Sequence, residues 1–537
     1  MRYLSKFLVL LFILGVAVAG CDDEYDSLVD ANLERRPIPD TEVEASQGDA
    51  DFTNYVAIGN SLTAGFMDAA LYTNGQRFSL GALLSAQFEA TGAPSTFNQP
   101  DINSVNGFNT LVNTGNGPVL GRFKLDTSIP GPSPTLNGDP IEPYTGETSS
   151  LNNFGVPGIQ LGQLLTPDTG NPSSPAFNPF YARFASAPGS STILEDAISA
   201  APTFFTLWIG INDLLGYATG GATNPSVLTD QNDFEIRFQA VINTLMQQTE
   251  AKGVVANIPP ILGVPYFRAV GYNVIEFDES DQATVDQLNA AFSGFNQVLD
   301  GIVQFPGHSQ ADANRRKVQY SLGANPVLIF DPNLENIEQK MRQLAAVNPQ
   351  LSNDDVDMLL PFMQARPIRE GELVLFPAAS VLGTLADPDN PTSVIGVAVP
   401  LENRYTLTFE QLAEIEGERQ AYNQAISSTI ETNEISQRLA LYDTNDPTGA
   451  FADIFGMDGS SPGISIDGTF LNPDFSPNGV FSTDGVHPNA RGNAILANEF
   501  LRVIEAEFNA TIPKVDVLAL PSVSVCAGDC LSQQGGS

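Results

Sequence analysis

From residue 52 onward, short apolar runs alternate with amphipathic stretches. Tyr55-Val56-Ala57-Ile58, ending in Gly59, and Phe204 to Ile209, ending in Gly210, are short, mainly apolar runs of strand length, as expected of strands buried on both faces. Val254 to Ile258, stopped by Pro259-Pro260, and Leu439 to Tyr442 read the same way. Between them, Phe234, Phe238, Val241, Ile242 and Leu245 recur at helical spacing, with Gly253 beyond the end. A second long helix is predicted from about Phe409 to Glu431. A last one begins near Pro488, with Ala497, Phe500, Leu501, Ile504 and Phe508 as its buried stripe. Strands and helices in this alternation predict an α/β fold: a three-layer α/β/α sandwich around a mostly parallel sheet. Long Gly/Pro/Asn-rich segments interrupt it at 90–150, 166–190 and 444–480, and loops of that length are functional or unstructured.

The first 20 residues have a different pattern. Arg2 and Lys6 precede an apolar run from Phe7 to Val18, too short to span a bilayer comfortably, and Cys21 follows at once. Val18-Ala19-Gly20-Cys21 resembles the lipobox of bacterial lipoproteins, which implies cleavage before Cys21 and acylation of that cysteine. An ordinary signal peptide with a chance cysteine is the alternative. Residues 21–51 are rich in acids and contain Pro37 and Pro39, the composition of a solvated tether that holds the domain clear of a membrane. The expected location is therefore exported and membrane-anchored, at an outer membrane, cell surface or periplasmic face. At the other end, residues 511–537 read as a tail. Its Cys526 and Cys530 form a candidate local disulfide in an oxidising compartment, with free thiols in a frayed tail as the alternative.

Charge narrows the function classes. The chain has 24 basic and 62 acidic residues; removing residues 1–20 takes away two basic residues and no acidic one, leaving 22 against 62, or −40. No nucleic-acid partner is expected, because phosphate contacts need basic patches. The carboxylate-dense, lysine-poor surface resembles that of proteins from saline habitats, the alternative being plain repulsion from anionic lipid. With three cysteines and two histidines among 537 residues, little material remains for a metal site, and no metal or cofactor is expected.

Two histidines make the search for an acid/base short. His487 lies in Ser482-Thr483-Asp484-Gly485-Val486-His487-Pro488, where Asp484, three residues upstream, can return to one imidazole nitrogen and leave the other free as a base. His308, in Pro306-Gly307-His308-Ser309, reads as a surface histidine without a partner. A base needs a nucleophile. Ser61, in Gly59-Asn60-Ser61-Leu62-Thr63-Ala64-Gly65, stands just past a strand end, where open α/β sheets hold their sites. The Gly-x-Ser-x-Gly elbow is absent, which disfavours an ordinary α/β-hydrolase, and Ser61 by itself could be only a helix cap. Two other segments weigh against that: Asn153-Phe154-Gly155-Val156-Pro157-Gly158 offers a backbone N–H in a glycine-flanked turn, and Gly210-Ile211-Asn212-Asp213 sets an amide side chain after a strand. Both are donors of the type a tetrahedral oxyanion needs.

Gly59-Asn60-Ser61-Leu62, Gly155-Val156-Pro157-Gly158, Gly210-Ile211-Asn212-Asp213 and Asp484-Gly485-Val486-His487 resemble, in order, the four blocks of the SGNH hydrolases, the GDSL-type esterases and lipases. The resemblance spans about residues 52–510, with surplus chain at about 66–150 and 261–408. It implies an SGNH, flavodoxin-like fold and hydrolysis of carboxylic esters, with lipid-like or acylated small molecules as candidate substrates. It further implies Ser61 as nucleophile, with its own N–H, the Gly158 N–H and the Asn212 amide as oxyanion donors, His487 as base and Asp484 as its orienter. Asn60 departs from the name-giving motif, which has Asp there. Met358–Met363 and Leu373–Pro377 either line an acyl pocket or build the insertion's own core. A polysaccharide O-deacetylase of the same fold and a non-catalytic surface module are the competing readings.

Overall fold

The computed structural model describes residues 44–526 apart from residues 95, 114–116, 127–130, 433, 434, 454 and 456–462. The export signal 1–20, Cys21, tether residues 22–43, Cys530 and residues 527–537 lie outside the described residues. From Gln47 onward the chain forms one unit.

Its centre is a sheet of five strands: β1 (Tyr55–Gly59), β2 (Asn153–Gly155), β3 (Phe204–Trp208), β4 (Lys252–Ala256) and β5 (Leu439–Tyr442). They lie in the order β2-β1-β3-β4-β5, and every pair is parallel. β1, β2 and β3 are buried along their whole length, which is why β1 and β3 read as apolar runs. β2 is the exception to sequence legibility. Its three residues, Asn-Phe-Gly, carry no strand pattern, and the segment expected as a turn pairs with β1 through Ala57–Gly59.

Helices cover both faces. α1 (Leu80–Phe88) and α6 (Ala490–Phe508) form one layer; α2 (Ile193–Ser199), α4 (Gln231–Gln248) and α5 (Phe409–Ile430) form the other, and α3 (Asn212–Thr219) follows β3. The buried side of α4 consists of Phe234, Phe238, Val241, Ile242 and Leu245. α5 starts at Phe409 because Thr408 accepts the Gln411 N–H while the Gln411 side chain takes the Thr408 N–H. α6 begins later than the proline suggested. Asn489 caps it, accepting from Arg491 and Gly492, and Pro488 instead bridges to Phe481. Phe500 packs on Trp208 at the carboxyl end of β3 and Phe508 on Phe204 at its start, so α6 runs antiparallel to the strand. That direction brings the segment just before α6 to the carboxyl edge of the sheet.

The boundaries of the folded region are wider than the composition suggested. Asp49 donates its N–H to the Phe508 carbonyl, so the acidic segment is already part of the domain by residue 49. Residues 511–526 are not a frayed tail: Ile512, Val515, Val517 and Val523 are buried, and Val525–Cys526 pairs in parallel with Phe123–Asp126 of the first insertion. Cys526 is disulfide-bonded.

Residues 275–401 of the second insertion carry a hydrophobic core of their own, built on Phe295, Leu299, Leu328, Ile329, Met341 and Met363 among others. Met363 and Val374 belong to that core, Leu375 packs into the main one, and Met358 and Leu360 are exposed. Met358–Met363 therefore packs on the insertion's own core, whereas Leu373–Pro377 is divided between the two cores. A buried ionic cluster sits beside it. Arg366, fully buried, donates Nε to Asp331 at 2.6 Å and both terminal nitrogens to Glu372 at 2.6 and 2.7 Å. Burial alone would raise the Glu372 carboxyl, but Arg366 and Arg369 hold it down at about 2. Glu372 also accepts the Phe409 N–H at the start of α5, tying the insertion to the main fold. Removing this cation leaves the buried Asp331 without its charged partner and Glu372 with Arg369 alone. Arg366→Met is expected to cost about 3–5 kcal/mol of unfolding free energy, read from urea denaturation followed by circular dichroism.

Candidate active site

Register decides where the site lies. Gly59 stands opposite both Gly155 and Trp208, so β1, β2 and β3 end side by side. Ser61, Gly158 and Asn212 each follow those ends within four residues and emerge at one sheet edge. The direction of α6 brings Asp484 and His487 to the same edge.

Ser61 opens a single helical turn, Ser61–Ala64, whose cap is Asn60: its Oδ1 accepts the Leu62 N–H at 3.1 Å. Capping needs a short side-chain oxygen and no charge, so Asn serves where the family motif has Asp. The turn is held against β2. Asn153 Nδ2 donates to the Thr63 carbonyl at 2.9 Å, and a Cβ on Gly155 would lie 2.3 Å from the Ala64 nitrogen. Only glycine permits that approach.

His487 Nε2 lies 2.9 Å from Ser61 Oγ, and its Nδ1 lies 2.9 Å from Asp484 Oδ2. An ionised carboxylate only accepts, so Nδ1 carries the proton and Nε2 offers its lone pair to the serine hydroxyl. Asp484 accepts three backbone N–H groups besides: those of Val486 and His487 on Oδ1 and that of Ala69 on Oδ2, all at 2.9 Å. Burial would raise this carboxyl, but the imidazole and these donors hold it at about 2. The ring of Phe66 packs against the imidazole with centroids 5.0 Å apart.

The donors on the far side are fixed to one another. Asn212 Nδ2 donates to the Ile159 carbonyl at 2.8 Å, leaving its second N–H available. Asp213 takes the Leu161 N–H at 2.8 Å and the Thr229 hydroxyl at 2.6 Å. These bonds join the 210–213 loop to the 158–161 loop, so the Asn212 amide and the Gly158 N–H move as one piece. Gly158 has φ +79°, a left-handed turn that glycine adopts without strain. Ser61, Gly158, Asn212, Asp484 and His487 all border one cleft of about 620 Å³.

Two residues near the site, Asp68 and Ala69, give no signal in sequence, and the role of a third, Asp213, is not apparent there. Asp68 and Ala69 are consecutive non-glycine residues at φ +56° and +61°, a conformation that costs about 1–2 kcal/mol per residue. Asp68 sustains it by accepting the Thr483 N–H and hydroxyl and the Tyr72 hydroxyl, with Arg122 3.6 Å away. The strained turn is what aims the Ala69 N–H at Asp484. Asp213 stands within a quoted motif, yet its role as a tie between loops depends on partners more than 15 residues away. His308 is buried rather than on the surface; burial pushes its imidazole down, and its Nε2 has no hydrogen-bond partner among the described residues.

A family model described as GDSL-like Lipase/Acylhydrolase matches residues 55–500. No curated protein and no solved structure matches the chain.

The Asp484 carboxyl lies below its ordinary 3.8 in the folded chain, so it contributes stability that is present above about pH 4 and lost as pH falls through 2. Asp484→Asn removes that contribution. Between pH 4 and pH 2 the wild type is expected to lose about 2 kcal/mol more unfolding free energy than the variant, measured by denaturant titration at each pH.

Proposed function

The chain belongs to the GDSL-like lipase/acylhydrolase family, and from that premise we propose that it hydrolyses carboxylic esters through an acyl-enzyme on Ser61. The observation that carries this reading is the unbroken relay Ser61–His487–Asp484, with two links of 2.9 Å. His487 Nε2 takes the hydroxyl proton as Ser61 Oγ attacks the ester carbonyl. The Ser61 and Gly158 N–H groups and the free N–H of the Asn212 amide receive the oxyanion, pre-aligned by the loop ties and therefore without reorganisation at the moment of attack. The alcohol departs with the proton from His487, and water repeats the sequence to release the acid. Asp484 stays ionised throughout, favouring the imidazolium that forms at each proton transfer.

Ser61→Ala is expected to abolish hydrolysis of p-nitrophenyl acetate and labelling by a fluorophosphonate while leaving the circular dichroism spectrum unchanged; retained turnover would remove Ser61 from the reaction. Asn212→Ala is expected to lower kcat by about 10²–10³, since it removes an oxyanion donor together with the tie to the Ile159 carbonyl. A non-catalytic surface module would take no label at Ser61 in the wild type.

The export signal and Cys21 support a membrane tether for this activity. Cys21→Ser is expected to move the protein from the detergent phase to the aqueous phase on Triton X-114 partition, and an unchanged partition would dismiss the anchor. Among the described residues no helix is long and apolar enough to cross a membrane.

A further inference from the structure

Ser61 and His487 stand in a wall shared by two cavities of opposite character. The outer one is the open cleft of about 620 Å³; its lining mixes Thr110, Asn178, Thr219 and Tyr266 with apolar side chains such as Phe66 and Phe180. The inner one is narrow, about 50 Å³, and is walled by Trp208, Ile261, Val264, Phe451, Phe455 and Leu496. Ser61, Asn212, Leu215, Val486 and His487 border both, whereas Gly158 borders only the outer cleft. Besides Ser61, Asn212 and His487, the polar-capable side chains among its described lining residues are Asn60, whose Oδ1 accepts the Leu62 N–H, and Trp208, whose indole N–H is already given to the Asn257 carbonyl at 3.0 Å. The inner cavity therefore offers a ligand almost nothing but apolar contact.

We propose that the inner cavity is the acyl site, and that it selects esters of short carboxylic acids, acetyl to about butyryl, carried on a bulky alcohol that occupies the outer cleft. This rests on the serine-hydrolase reading above and specifies its substrate class. In the first step the Ser61 Oγ–carbonyl bond forms, the bond from carbonyl carbon to alcohol oxygen breaks, and His487 passes the serine proton to the alcohol. In the second, water adds to the same carbon and gives a proton to His487, the bond from that carbon to Ser61 Oγ breaks, His487 returns the proton to Oγ, and the acid leaves. The acyl group stays on Ser61 between the two steps, so a confined apolar seat suits it. Alcohol and water must exchange between the two steps, so they need the open side.

Volume sets the length limit. The inner cavity has about 50 Å³ of space against about 620 Å³ in the cleft, room for a short acyl chain and not for a long one. A longer chain would have to displace Trp208, which Phe451, Tyr442 and Phe500 hold by edge-on and tilted ring contacts.

The test compares kcat/KM on p-nitrophenyl acetate, butyrate, octanoate and palmitate. In the wild type, octanoate is expected at least tenfold below butyrate. Val264→Phe, which fills the inner cavity, is expected to lower the butyrate-to-acetate ratio at least tenfold. Phe451→Ala, which lengthens it, is expected to raise the octanoate-to-butyrate ratio by a similar factor. Fluorophosphonate labelling of both variants at Ser61 checks that the site remains assembled. Octanoate or palmitate turned over as fast as butyrate, or both ratios unmoved in variants that label normally, would overturn the acyl-site assignment and leave the hydrolase reading standing. A wild type that neither labels nor turns over any of the four esters would overturn the hydrolase reading, and the acyl site with it.

Discussion

The hydrogen bond between Ser61 and His487 joins two side chains 426 positions apart, and most of the architecture can be understood as the means of holding it at 2.9 Å. One partner stands at the start of the fold and the other near its end, so neither can be placed by local structure. The parallel register of β1 with β3, the antiparallel run of α6 across the sheet and the glycine contact at Gly155 each remove a way for the two to drift apart. A displacement of about 1 Å in such an arrangement weakens a proton transfer severely, because reaction through it needs near-contact geometry.

Two buried carboxylates near this bond are pushed in opposite directions, and the difference lies in their donors. Asp484 faces an imidazole and three backbone N–H groups, which outweigh burial and keep it ionised. Asp213 is no less enclosed, but it has one backbone N–H and one hydroxyl, and burial raises it to about 6. The first is suited to sustaining a charge on a neighbour, the second to fastening two loops. Divergence of this type between neighbouring acids is a general way for one site to divide roles among like groups.

The first insertion does more than lengthen the chain. Its opening turn at Asp68–Ala69 reaches Asp484, its strand Phe123–Asp126 is clasped by the carboxyl-terminal Val525–Cys526, and Phe108, Thr110 and Leu111 border the cleft. The second insertion has its own core and reaches the main fold through Glu372 and the start of α5. The two surpluses of sequence thus differ in kind: the first lies along the site's wall, whereas the second gives that wall Ile261, Val264 and Tyr266 and then builds a core of its own over residues 275–401.

The five-stranded α/β frame was legible wherever a strand was long and apolar or a helix amphipathic, because burial on both faces or on one imposes a pattern that a single segment displays unaided. β1, β3, β4, β5, α4 and α5 were readable for that reason, and so were the residue types at Ser61, Gly158, Asn212, Asp484 and His487. β2 was not, since three residues are too few to show a period. Nor was the burial of His308 or of residues 511–526, which depends on partners far away in the chain. Asp68 and Ala69 show the limit most clearly. Nothing in Met67-Asp68-Ala69-Ala70 announces two left-handed residues, because the bonds that sustain them come from Thr483 and Tyr72 and the benefit falls on Asp484. Composition and periodicity record what each segment must bury; which distant groups then meet, and at what angle, is decided only when the segments pack, because that outcome depends on sums of contacts no one segment contains.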